Sequence, residues 1–200
     1  MSAGKMLLAS FVAAIVMFIW GGLSHMVLGL GETGIKELPN EEAIVTTLQA
    51  NLTEPGFYFF PGLGMTPEMG KEEQKAAMEK WTARYQAGPN GIVIYNPVGE
   101  QAMSIRQFLV QILTYWAGIL IAAFLLSKAM AGRQMGFWQK VFFVGLIGLA
   151  AGVTAKVPEW NWYRFPSSFI IAAILDGFVA FLVGGLILGW MTKAKKQMTA

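Results

Sequence analysis

FIIAAILDGFVAFLVGGLILGW, residues 169–190, decides the class of this protein. About 20 apolar residues rising roughly 1.5 Å each cover a hydrocarbon core of about 30 Å. One charge interrupts the run, Asp176, the only aspartate in the chain. Three further apolar runs lie at 6–30, 105–131 and 141–157. The expected fold is therefore an all-α membrane protein with four transmembrane helices. The third is the shortest of them, with Lys156 snorkelling to the interface.

Composition agrees with this class. The chain has 200 residues, 55% hydrophobic and 14% charged, and a mean hydropathy of +0.50. Soluble domains carry roughly 25% charged residues, well above this value. The chain has no cysteine, which excludes disulfides, thiolate metal sites and cysteine nucleophiles. Its single histidine, His25, excludes a multi-histidine metal cage built from this chain alone. One histidine does not hold a haem on both faces, and methionines such as Met26, Met65 and Met69 more often fill core. No cofactor is expected beyond a bound lipid. The net charge of +3 does not point to nucleic acid, because the bases gather at the edges of the apolar runs.

The run at 6–30 exceeds the apolar core of a signal peptide and lacks a small-x-small cleavage site, so it is expected as an uncleaved span. Between it and the second run lies the only long polar region, 31–104, with ten glutamates against five basic residues. It is expected to fold as a small α+β module. Asn40 before Glu41 and Glu42 predicts a helix start, running to about Leu52. Residues 56–60, GFYFF, predict a strand stopped by Pro61 and Gly62. Thr66 and Pro67 predict a second helix start, with helix continuing to Gln86 and placing Met78, Trp81 and Tyr85 on one face. Residues 92–95, IVIY, predict the second strand.

Orientation follows from lysine and arginine near the spans. Lys5, Lys128, Arg133, Lys140, Lys193, Lys195 and Lys196 fall on one side, and Arg106, Lys156 and Arg164 on the other. The positive-inside rule then makes both termini and the basic tail, 193–200, cytoplasmic, and module 31–104 extracytoplasmic. The expected setting is a cell membrane, a bacterial inner membrane with a periplasmic domain. The dense aromatic stretch at 157–166 is expected to be a turn at the outer interface. Its Trp160, Trp162 and Tyr163, with Trp81 of the module, are the candidate interface residues.

Polar side chains within the spans gather toward the outer side. Asp176 lies about eight residues inside the fourth span, and an ionisable residue there is a functional candidate. His25 of the first span, Gln111, Thr114 and Tyr115 of the second, and Lys156 of the third reach comparable depth. Together they outline a candidate polar pocket, with His25 or a second-span group as the expected neighbour of Asp176. Each group also has a local alternative, such as a threonine bonded to its own helix backbone. Gly145, Gly148 and Gly152, Gly185 and Gly189, and the pair Gly21 and Gly22 are small-residue patterns that let helices approach closely. They leave open whether the close partner is internal or another subunit.

Phosphate loops, serine elbows and HExxH zinc motifs are missing from the sequence, so no catalytic or metal-binding residue is assigned. The expected function is a non-catalytic accessory subunit of a larger membrane complex, partnered by lipid and by other subunits or a second copy. The alternatives are a small-molecule or proton-coupled carrier using the polar pocket, or a membrane enzyme acting there on lipid or quinone.

Overall fold

A computed structural model describes residues 2–192. The expected basic tail, with Lys193, Lys195 and Lys196, lies outside the described residues. The described residues form six α-helices and one two-stranded sheet: α1 (Ala3–Met26), α2 (Glu41–Asn51), β1 (Gly56–Phe60), α3 (Lys71–Ala87), β2 (Gly91–Tyr95), α4 (Ile105–Ala129), α5 (Phe137–Tyr163) and α6 (Ser167–Met191). Four of them, α1, α4, α5 and α6, are 24 to 27 residues long and apolar enough to cross a membrane. The chain divides into a helical unit, Met1–Ile35 with Ala102–Ala200, and a second unit, Lys36–Gln101.

In the helical unit, α5 and α6 form a tight antiparallel hairpin because their glycines face each other's side chains. A Cβ on Gly148 would lie 2.5 Å from the Cβ of Phe181, and one on Gly145 would lie 2.4 Å from Leu182. Gly185 and Gly189 return the favour from α6, against Val141 and Phe137. The partner of these rows is thus internal. Helix α1 packs against both α6 and α4, with Ala9, Ala13, Ala14 and Met17 fully shielded. The buried residues of α4 (Ile119, Ala122, Ala123, Leu126) and of α5 (Lys140 to Gly148) all lie toward the connection between these two helices.

Helix starts are set by local hydrogen bonds. Ser104 Oγ accepts from the Gln107 N–H at 3.3 Å while Gln107 Oε1 accepts from the Ser104 N–H at 2.9 Å, a reciprocal cap. Gln139 Oε1 takes the Gly136 N–H at 2.8 Å at the start of α5. At the far end of α6, the ammonium of buried Lys140 donates to the Thr192 carbonyl at 2.7 Å, where the helix dipole favours a cation.

The third apolar helix is longer than expected. It runs through Pro158 to Tyr163, so Trp160, Trp162 and Tyr163 stand on its last turns and not in an aromatic loop. A proline removes one helical N–H bond, and the turn around it is clamped by Lys156 Nζ, which donates to Glu159 Oε1 at 2.9 Å. The helix stops at Arg164, whose φ of 61° is left-handed. The N–H groups of Arg164 and Phe165 both return to the Glu159 carbonyl, as at a common C-terminal stop.

In Lys36–Gln101 both strands lie where expected, paired antiparallel with Phe57 opposite Ile94 and Phe59 opposite Ile92. Phe59 stacks on Tyr85 of α3 with centroids 6.3 Å apart, and Trp81 packs on Tyr85 at 5.1 Å. Two helix starts differ from expectation. Helix α3 begins at Lys71, not at Pro67, because the Glu73 carboxylate accepts the Gly70 N–H at 2.8 Å and sets the first turn there. Asn40 holds the cap position of α2, but with a left-handed backbone (φ 52°) and no side-chain cap bond. Pro61 is the one buried residue of this unit among the described residues.

Candidate functional site

The site is built on the last two turns of α1. Ser24 lies four residues after Trp20 and three after Gly21, and His25 four after Gly21, so these positions adjoin along one side of that helix. Trp20 directs its indole N–H at α6, where it donates to Asp176 Oδ1 at 2.8 Å. An indole nitrogen is only a donor and a carboxylate only an acceptor, so the pair joins α1 to α6 through a charge-assisted bond.

His25 faces the second oxygen. Its Nδ1 lies 4.0 Å from Asp176 Oδ2, beyond hydrogen-bond length. Nδ1 is 3.0 Å from the Gly21 carbonyl and 2.9 Å from Ser24 Oγ. The carbonyl can only accept, so the bond to it places a hydrogen on Nδ1. The side chain of Asp176 is 13% exposed and that of His25 is 54% exposed, which makes the imidazole the open side of the pair.

The segment after α1 forms a roof over this cluster. A Cβ on Gly31 would lie 2.3 Å from His25 Cδ2, and one on Gly34 would lie 2.8 Å from the Phe169 backbone nitrogen at the start of α6. Gly34 also has a φ of +83°, a backbone that glycine adopts freely. These two positions let the chain fold down onto the site.

From α4, the Tyr115 hydroxyl reaches over Gly21, where a Cβ would lie 3.2 Å from it, and Gln111 hydrogen-bonds Tyr115. Gly22, by contrast, faces open space. The structure thus brings together His25, Gln111, Tyr115 and Asp176 of the six expected pocket residues. Thr114 donates to the Val110 carbonyl of its own helix at 2.8 Å, and Lys156 pairs with Glu159, so neither joins the cluster. Thr154 likewise bonds its own backbone, at Ala150.

Trp20 and Ser24 are the members that sequence reasoning missed. A signal for Trp20 was present: a donor-only indole in an apolar helix requires an acceptor, and one carboxylate lies within the spans. A second bond of this kind also escaped notice, from Trp116 Nε1 to Ser10 Oγ at 3.1 Å, tying α4 to α1.

The expected interface residues divide. Trp160 Nε1 donates to Ser167 Oγ at 3.1 Å across the α5–α6 turn, while Trp162 and Tyr163 are exposed. Trp81 is used inside its own unit, where Nε1 donates to the Pro61 carbonyl at 2.9 Å. Among the described residues no group of three or more histidine, aspartate or glutamate side chains is placed to hold a metal ion.

The cluster can accept a further hydrogen bond at Asp176 Oδ2, with the more exposed imidazole of His25 beside it. No protein family matches the chain, and neither a curated protein nor a solved structure matches it.

Proposed function

We propose that the chain is a multi-pass protein of the cell membrane, a bacterial inner membrane, with both termini cytoplasmic and the 36–101 unit outside. In this reading it acts as a non-catalytic accessory subunit of a membrane complex, and the outer unit binds a partner protein. The observation that carries the reading is how little that unit buries. Its ribbon leaves Phe57 55% and Ile94 73% exposed as a cross-strand pair, with Phe60, Leu63 and Met78 also exposed. A two-stranded ribbon is marginal by itself, and a small unit with so thin a core gains stability when a partner covers its apolar side chains. Residues 36–101 carry nine glutamates against five basic residues, so the fitting partner has an apolar centre and a basic rim.

The test is native purification of the tagged full chain in mild detergent, beside a Phe57→Ser, Ile94→Ser variant. The expected result is a stoichiometric protein that co-migrates with the unaltered chain and is lost from the variant. Absence of a stoichiometric partner, or its retention by the variant, overturns the reading.

A further inference from the structure

Strand β2 has one paired edge and one open edge. Alternate residues of a strand turn their N–H and C=O groups to opposite sides. On one side those of β2 meet β1, in a register that runs from Gly91 opposite Phe60 to Tyr95 opposite Gly56. On the other side, among the described residues, no backbone or side-chain group hydrogen-bonds to the main chain of 91–95. The neighbouring bonds serve Asn90, which donates to the Tyr85 carbonyl, and Val98, which donates to Asn96 Oδ1.

Proteins guard such edges with a lysine, a proline or an inward charge, because an open row of N–H and C=O groups is a template for another strand. Residues 91–95, GIVIY, contain no charge and no proline. Pro89 and Pro97 stand outside the strand. Ile92, Val93 and Ile94 are β-branched and hold the chain extended. Ile92 and Ile94 lie on the face of the ribbon that Phe57 and Phe59 share, since side chains alternate between faces. Tyr85 of α3 stacks on Phe59, while Ile94 stays 73% exposed. A strand laid along β2 sets alternate side chains beside Ile92 and Ile94 on that face, so apolar residues at those positions cover Ile94.

Charge selects the occupant. Residues 36–101 carry nine glutamates against five basic residues. A second copy of the ribbon would bring two acidic units together, which like charge opposes. A segment with lysine or arginine at its ends is attracted instead.

We infer that the open edge of β2 takes an extended segment of a partner protein as a third strand, a segment with alternating apolar residues and basic flanks. Main-chain hydrogen bonds give the affinity, and side chains beside Ile92 and Ile94 give the selectivity. A third strand also relieves the marginal stability of a two-stranded ribbon. The inference rests on the 36–101 unit being the partner-binding part of the chain, and it states how the partner is held.

The probe is a fluorescent peptide of three valine–threonine repeats between pairs of lysines, titrated against the full chain in non-ionic detergent and read by anisotropy. N-methylation of the valines closes one edge of the peptide, and N-methylation of the threonines closes the other. The expected result is saturable binding that one methylated form loses and the other keeps, because an added strand uses a single edge. Ile94→Lys should weaken binding about ten-fold, as a lysine on an edge strand opposes pairing. Val98→Lys makes the same charge change at a 72% exposed position beyond the strand and should leave binding within about two-fold, as a lone surface charge does. In the unaltered chain the peptide should slow hydrogen exchange at residues 91–95, which needs no variant.

Absence of saturable binding, equal binding by both methylated forms, or equal weakening by Ile94→Lys and Val98→Lys overturns the inference. So does exchange at 91–95 that the peptide leaves unchanged. The partner-binding reading fails separately. A co-migrating protein lost from the Phe57→Ser, Ile94→Ser variant, in a chain that does not bind the peptide, keeps that reading and removes this inference.

Discussion

In the helical unit Met17, Ile119, Leu126 and Leu188 are fully shielded from solvent. In Lys36–Gln101 the aromatic residues Phe59, Trp81 and Tyr85 touch one another, yet Pro61 alone is buried. The contrast does not follow from aromatic content, since the second unit contains GFYFF in a single strand. It follows from backbone approach. Gly145, Gly148, Gly185 and Gly189 bring α5 and α6 close enough for side chains of one to meet backbone of the other, as small residues at a helix interface do. The second unit has a two-stranded ribbon beside α3, a helix rich in lysine and glutamate, and α2, which buries none of its residues. Tight packing here is a property of small residues in register, and large apolar residues alone do not produce it.

The largest expected difference between the two regions is their solvent. A cytoplasm-dependent reporter fused at Gly88 should be inactive, and a periplasm-dependent one active, in an all-or-none manner. The reverse pattern would place the 36–101 unit inside and break the comparison at its root.

Next in size is the glycine row. Gly148→Ala puts a methyl group 2.5 Å from the Phe181 Cβ and should cost about 2 kcal/mol in detergent unfolding experiments, as overpacking of a filled core does. Gly152→Ala, where the nearest atom is Ile174 Cα at 3.6 Å, should leave unfolding unchanged. Equal effects at the two positions would show that the row is not what holds the hairpin.

The smallest effect belongs to the second unit. Trp81→Phe keeps the ring contact with Tyr85 and removes the donor to the Pro61 carbonyl. A loss of about 1 kcal/mol is expected, read as faster limited proteolysis within 36–101 while unfolding of the helical unit stays the same. Unchanged cleavage within 36–101 would show that the Trp81 bond does not hold that unit, and loosening of both units together would mean that they do not behave as separate packing units.

Period and length made the four long helices and both strands legible, because apolar runs and aromatic strand residues are local signals. The third helix was read as too short at both ends. At its start Phe137 and Trp138 were left outside the run, and at its end Pro158 suggested a stop that the Lys156–Glu159 pair prevents. The start of α3 was misplaced because Thr66–Pro67 is a good local signal and the Gly70–Glu73 bond, formed later in the chain, is a better one. In the candidate site, Asp176, His25 and Tyr115 could be named from depth alone. Thr114 and Lys156 were named on the same grounds and point elsewhere, since depth along a helix says nothing about which side of it a residue occupies relative to its neighbours.

By itself the sequence determined the class, the four apolar helices, the place of the inserted unit and the presence of one carboxylate that an apolar helix cannot leave unattended. Each of these is set by composition or by spacing within one element. Only the tertiary structure decided that Trp20 holds Asp176, that Gly31 and Gly34 bring the chain after α1 down over His25 and the start of α6, and that the glycine rows face one another inside the chain. The reason is that these are distances between residues up to 156 positions apart, set by how helices rotate and tilt against each other. That rotation is the joint solution of many small contacts, and no single stretch of the chain encodes it.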